Sequence, residues 1–296
     1  MSAAVEFSAV SVDRRGRRLV DSVTFAVPAG TVHALLGHNG AGKTTLMRAL
    51  SGLVPVASGS IRTSSEPSVL FVGTRLPGDL AVAQILEHRR RLLGSAPSAV
   101  ATAVEHTGIA PFIDRRAGAL STGMIQRVAI ATALMADAQT IVLDEPTTGL
   151  DPQGVDALLT LIHGLRDEGR TVIICSHDLA QLELVCDGVT CLRDGQLTAH
   201  GTVRDVADDL PAPGHVLRTS DDAQATKMLL AAGIDSTATA RGIQVGPTAT
   251  LSTVLSILVD QVEVTEATVD HGLFARIYAK FASAPERGRP RRRGRA

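Results

Sequence analysis

Tryptophan is missing from the 296 residues, and one tyrosine with six phenylalanines leaves an aromatic share of 2%. A core must therefore be filled by Val, Leu, Ile and Ala, and a site that needs an aromatic ring has few candidates. Cysteines are also few: Cys175, Cys186 and Cys191, odd in number and without metal-ligand spacing. That argues against a disulfide framework or a cysteine-held zinc, and fits a reduced, cytoplasmic compartment. No apolar run approaches the ~20 residues that cross a bilayer. The opening MSAAVEFSAVSVDRR lacks the basic start and apolar core of a signal peptide. Work at a membrane would leave the spanning to another chain.

Net charge is nearly absent as well, at -1. The final RGRPRRRGRA holds six arginines and no acid, which leaves -7 on the rest. A neutral-to-acidic body offers no broad basic surface, so no specific nucleic acid is expected as a partner. The tail, 285–296, reads as a disordered, solvated extension, with attraction to anionic lipid or RNA as the sharper alternative.

What remains is an ordinary globular composition, 45% apolar and 20% charged. The length suits one large domain, or a large one followed by a small one. GHNGAGKTT meets the spacing G-x-x-x-x-G-K-[ST] with Gly37, Gly42, Lys43 and Thr44. TVHALL before it has the pattern of a buried strand, and KTTLMRALSG after it that of a helix closed by Gly52. Glycines at a strand-to-helix turn let backbone N–H groups wrap phosphate oxygens, aided by the positive end of the helix dipole. Lys43 then reaches the β- and γ-phosphates and the Thr44 hydroxyl ligates Mg²⁺. A plain glycine turn with a chance lysine fits this strand and helix less well.

TIVLDEPTTGLD supplies a second buried strand that delivers Asp144 and Glu145 at its carboxyl edge, where ligands bind in parallel sheets. Asp144 is expected to hold Mg²⁺ through water, and Glu145 to orient and deprotonate an attacking water. TVIICSHDL empties a third strand onto Ser176, His177 and Asp178, with His177 a candidate contact of the γ-phosphate. In LSTGMIQRVAIATALMAD, Ser121 reads as an N-cap, with Ile125, Val128, Ala129 and Ala133 on the apolar side of the helix. This helix start, Ser121 with Gly123, is a second anion site for which the first has no use.

With these pieces in order, residues 5 to 205 resemble the nucleotide-binding subunit of ATP-binding cassette (ABC) transporters. GHNGAGKTT matches the family's phosphate loop, LSTGM its signature, TIVLDE its second Walker motif, TGLD the next loop and SH its switch histidine. The resemblance implies an α/β P-loop ATPase core with mixed sheet and a helical subdomain at about 76–135. It implies that Gly37, His38, Asn39, Gly40, Ala41, Gly42, Lys43, Thr44 and Thr45 bind ATP with Mg²⁺. It implies a homodimer across ATP, in which Ser121, Thr122, Gly123 and Asp151 serve the partner's nucleotide. It also implies a membrane-spanning permease on a separate chain and a peripheral place on the inner face of the cell membrane.

Two departures accompany it. The family's adenine-stacking aromatic is replaced in SVDRRGRRLV by Arg14, whose guanidinium plane stacks on a base in its stead. The glutamine that touches Mg²⁺ and the membrane subunit has Thr74 or Arg75 as its counterpart in SVLFVGTRLPGDLAV, so Thr74 is a further candidate at the metal. The signature carries Thr122 and Met124 for glycine and glutamine. VAQILEHRRRLLG presents a basic face at His88 to Arg91, either solvated or turned to the membrane subunit. After a Pro-rich linker at 208–214, 215–284 alternate β-α-β-β-α-β-α, as in a small ferredoxin-like α+β domain. Such extensions follow cassettes that serve export. Two other readings stay open: a cassette ATPase acting on ribosomes or nucleic acid, and a subunit that senses ATP without hydrolysing it.

Overall fold

The computed structural model describes residues 2–210, 213–239, 242–269 and 272–283. The arginine tail and part of the Pro-rich linker lie outside them. The described residues form two compact units, one of 2–203 with 278–283 and one within 204–277.

The first unit opens with β1 (Ala3–Arg14) and β2 (Arg17–Pro28), an antiparallel pair whose Arg15 and Gly16 both have positive φ. Two such residues form the tight turn that matches strand twist. Then come β3 (Val32–Leu36), α1 (Lys43–Leu50), β4 (Ser58–Thr63) and β5 (Ser68–Leu70). A helical stretch follows as α2 (Val82–Leu93), α3 (Ser98–Thr107) and α4 (Thr122–Leu134). The sheet resumes with β6 (Thr140–Asp144), α5 (Pro152–Asp167), β7 (Thr171–Cys175), α6 (Leu179–Val185), β8 (Gly188–Arg193) and β9 (Gln196–Thr202). Strands β3, β6 and β7 are buried along their whole length. That is why they read as mostly apolar runs, as strands covered on both faces do.

The main sheet has the order β5-β6-β7-β3-β8-β9, parallel except for β9 against β8. A smaller antiparallel sheet, β2-β1-β4, packs with α1 over it. Between them Val5, Val10, Val23, Leu46 and Met47 are almost fully enclosed, and Phe7 stacks on Phe25 with ring centroids 4.4 Å apart. Aliphatic residues thus fill the interior that the shortage of rings left to them. The helical subdomain has its own core of Val82, Leu86, Ile109, Phe112, Val128 and Met135.

The second unit begins within α7 (Val203–Asp208) and contains β10 (His215–Thr219), α8 (Asp222–Ala231), β11 (Ser236–Thr239), β12 (Gly242–Val245), α9 (Leu251–Leu258), β13 (Val264–Val269) and α10 (Leu273–Ile277). Its sheet is antiparallel in the order β11-β12-β10-β13. This is the split β-α-β arrangement of ferredoxin-like domains. Leu217, Leu229, Ile243, Val254 and Leu258 form its core. The divisions between units differ from those read in the sequence, 207 and 284. At the far end the cause is visible: Tyr278–Ala282 coil into one wide helical turn and return to the first unit, where Thr198 Oγ1 donates to Phe281 O at 2.6 Å.

One polar cluster runs across the main sheet from the buried His33 and Thr190 to the exposed His200. His33, 2% exposed on β3, lies 2.7 Å from the Thr190 hydroxyl, which is 2.9 Å from His200 Nδ1. Burial, and secondarily the nearby His200, lowers the His33 pKa to about 3. A base whose folded pKa is depressed gives its full stability above the unfolded value of about 6.5 and loses it as pH falls toward the folded one. The wild-type chain is expected to lose up to about 1.4 kcal/mol per pH unit below that value from this residue. His33→Gln is expected to flatten that slope, as read from thermal melts between pH 7 and pH 4.

Candidate functional site

Neighbouring strands β6, β7 and β3 run parallel, with Asp144 level with Cys175 and Ala34 level with Ile174. Their carboxyl ends therefore open on one edge, which brings together the loop after β3, the acids after β6 and Ser176–Asp178 after β7. Residues far apart in sequence meet there because the sheet is parallel.

The loop 37–42 turns into α1 at Gly42, whose φ of 106° is open to glycine. A Cβ there would stand 3.0 Å from Leu19 O and 3.3 Å from Val20, so β2 also leaves no room for one. Gly42 offers no capping side chain, and the first turn of α1 holds no acid. The N–H groups at this helix start thus point into the loop unscreened, the arrangement that favours phosphate. Lys43 Nζ donates to the carbonyls of Gly37 and His38, folding its ammonium into the centre of the loop. On the outer side, Gly195 N–H donates to Ala41 O, His38 N–H donates to Ala282 O, and His38 Nε2 lies 3.2 Å from Asp194. The His38 amide is therefore committed away from the loop.

Across the edge, the Thr44 hydroxyl lies 3.4 Å from Asp144 Oδ2. Asp144 is 3% exposed, and its pKa is raised mainly by burial and then by the charge of Glu145, against the opposing pull of Thr44 and Lys43. A hydroxyl and a carboxylate burdened in this way form the hard-oxygen pair that Mg²⁺ takes, with water completing its shell. Thr74 does not join them: its hydroxyl donates to Phe71 O at 2.7 Å within its own exposed loop.

Glu145 adopts φ 53°, a left-handed conformation uncommon for its type, and its N–H donates to Cys175 O at 2.8 Å. Its carboxylate Oε2 sits 2.6 Å from His177 Nδ1. The imidazole is 80% exposed against 21% for the glutamate, so Nε2 is left for an incoming group. Backbone strain at such a position marks a residue held for a purpose rather than by propensity.

Ser121 caps α4 as expected, accepting from Met124 N at 3.3 Å. Gly123 is required by packing: a Cβ there would stand 2.6 Å from Gly149 O, in the loop that leads to α5. Asp151 caps α5 by accepting from Gly154 N at 2.9 Å and pairs with Arg127 at 3.3 Å. Signature helix and loop are thereby locked together. Gly123→Ala is expected to destabilise the fold by about 1–3 kcal/mol through overpacking, read as a lower urea midpoint at unchanged m-value.

The expectation of a basic face on α2 changes. The basic face of α2 is partly neutralised, because Glu87 accepts from Arg90 and from Arg91, both at 2.7 Å. Only His88 and Arg89 join Thr74 and Arg75 around a groove of 390 Å³. Arg14 stands on the exposed end of β1 opposite Arg17, in a hairpin whose one paired arginine among Arg14, Arg15, Arg17 and Arg18 is Arg18, held by Asp13 and Asp21. The pairing of Glu145 with His177 was not foreseen, although both residues were.

A family model described as ABC transporter matches residues 20–148. The zinc import ATP-binding protein ZnuC of Cereibacter sphaeroides is 36% identical over 201 residues, 66% of this chain and 81% of that protein. The arabinose import ATP-binding protein AraG of Rhizobium meliloti is 34% identical over 225 residues, 68% of this chain. The chain spans 44% of that protein's length. Among solved structures, CbiO1 from Clostridium perfringens, described as part of the ABC transporter complex cbiONQ, is similar at TM-score 0.61 and 26% identity, over 71% of this chain and 97% of that one.

Proposed function

The chain belongs to the ABC transporter family of ATP-binding proteins, and from that premise we propose that it hydrolyses Mg-ATP to drive a membrane-spanning permease on a separate chain. The observation that carries the catalytic part is the Glu145–His177 pair, one residue beyond an Asp144 that reaches the phosphate-loop threonine. The loop N–H groups and Lys43 hold the β- and γ-phosphates. Thr44, and Asp144 through water, would hold Mg²⁺, which would supply charge neutralisation at the transferring phosphoryl group. Glu145 accepts a proton from the attacking water, whose oxygen bonds to the γ-phosphorus as the bond to ADP breaks. His177, fixed through Nδ1, presents Nε2 to the γ-phosphate and so couples the state of the nucleotide to the position of Glu145.

Two copies stacked head to tail would supply each ATP with the other's Ser121 and Gly123, a closed two-fold arrangement that gives both anion sites a ligand. Closure on ATP and opening after hydrolysis then bias the permease between two states. The groove beside Thr74, Arg75, His88 and Arg89 is our choice for its docking site, which would put the chain on the inner face of the membrane. No helix among the described residues is long and apolar enough to cross a membrane. For direction, the α+β unit after the cassette supports export, whereas the names of the zinc and arabinose relatives favour import. Affinity capture of the full chain from detergent-solubilised native membranes tests the partner. A co-purifying chain with several spanning segments is expected, and recovery with ribosomes or RNA instead would contradict the proposal. ATP-dependent loading or emptying of vesicles holding that pair then decides the direction.

A further inference from the structure

The phosphate loop is held from behind by a part of the chain that arrives only after the second unit is complete. Ala282 is fully buried, its carbonyl accepts from His38 N–H at 3.0 Å, and Phe281 O beside it accepts from the Thr198 hydroxyl at 2.6 Å. Ser283 N–H closes the turn on Tyr278 O at 2.8 Å. The same His38 turns its ring to Asp194, on the turn between β8 and β9. We infer that Tyr278–Ser283 is a positioning strap, which acts through His38 to hold the leading end of the phosphate loop in its binding shape.

The physical reason is preorganisation. A short loop lined with polar backbone groups has many shapes when empty and one when it holds phosphate, and ordering it costs affinity. A loop already tied at His38 and at Ala41 pays less of that cost on binding. Since the strap follows Ile277 directly, ligands or partners that pull on the second unit have a covalent line to the nucleotide site. The inference rests on the reading of Gly37–Thr45 as the ATP loop. The strap contacts no substrate, so its loss should appear in affinity rather than in the chemical step.

The test uses the full-length chain with Thr198→Val, which at constant shape removes the hydroxyl that lies 2.6 Å from Phe281 O and 3.1 Å from Cys191 O on β8, and separately Ala282→Glu, which leaves Thr198 intact and places a charge where none can be buried. ATP affinity, kcat at saturating Mg-ATP and amide exchange at His38 are measured for each. Loss of one ordering contact is expected to raise the Kd for ATP about three- to tenfold, with kcat within about twofold of wild type. His38 exchange should accelerate while Val142 and Ile173 in the main sheet stay protected. Faster His38 exchange with unchanged Kd overturns the inference, as does unaltered His38 exchange in both variants. Should Ala282→Glu lose its cooperative melt, Thr198→Val decides. A wild-type chain that binds no ATP would instead sink the reading of the loop.

Discussion

Glu145→Gln is expected to lower kcat for Mg-ATP by about 10²–10⁴-fold, the span associated with losing a positioned general base. The amide keeps the size of the side chain and an oxygen for His177, which lies 2.6 Å from the carboxylate. It cannot take a proton from water. Affinity for ATP should stay near wild type, because the phosphates would be held by the loop after β3 and by Lys43 at the start of α1. With binding intact and the chemical step blocked, ATP should accumulate in a closed dimer visible by light scattering. The result that would count against the assignment is a fall in kcat and affinity together, the mark of a residue that holds ground state and transition state alike.

Lys43→Ala should act on the other quantity. The ammonium bonds the carbonyls of Gly37 and His38 inside the loop, where nucleotide phosphates would replace or share those partners. Removing a charged hydrogen-bond donor costs about 1.5–3 kcal/mol, which raises Kd roughly 10- to 150-fold. Lys43→Arg should not restore affinity, since the planar fork is wider than an ammonium and the loop around it is closed by backbone. Titration with a fluorescent ATP analogue checks both variants. Near-wild-type affinity in Lys43→Ala would remove the loop from the site.

The places of those two residues in the fold were legible in the sequence because backbone geometry dictates their surroundings. A phosphate loop needs glycine where φ is positive and where β2 leaves no space for a Cβ, as at Gly42, and those demands appear as a fixed spacing. The strands β3, β6 and β7 were legible for a similar reason: burial on both faces writes itself as a short, mostly apolar run, as in VHALL, TIVLD and TVIIC. Ser121 announced its helix through the local chemistry of capping. The second unit's order of strands and helices followed from alternating periodicity.

What escaped was pairwise and long-range. The contact of His38 with Ala282 joins positions 244 residues apart through a main-chain carbonyl, which carries no side-chain signature. The His33–Thr190–His200 cluster is spread over three strands whose adjacency only the sheet order reveals. Glu87 stands three and four residues before Arg90 and Arg91, a spacing that favours pairing on a helix. Reading the three basic residues after His88 as one face missed the acid that draws two of them back. At Thr74, a substitution in an otherwise familiar loop suggested a metal contact, whereas a local turn takes its hydroxyl.

The most direct test is phosphate release from Mg-ATP by the purified full-length chain, with Glu145→Gln as background and chelation of Mg²⁺ as the control. Release that saturates with ATP, stops on chelation and disappears in the variant is the predicted result. ATP bound by the wild-type chain with phosphate release no greater than that of the variant, alone and with the captured permease, would contradict it and leave a subunit that senses ATP without hydrolysing it.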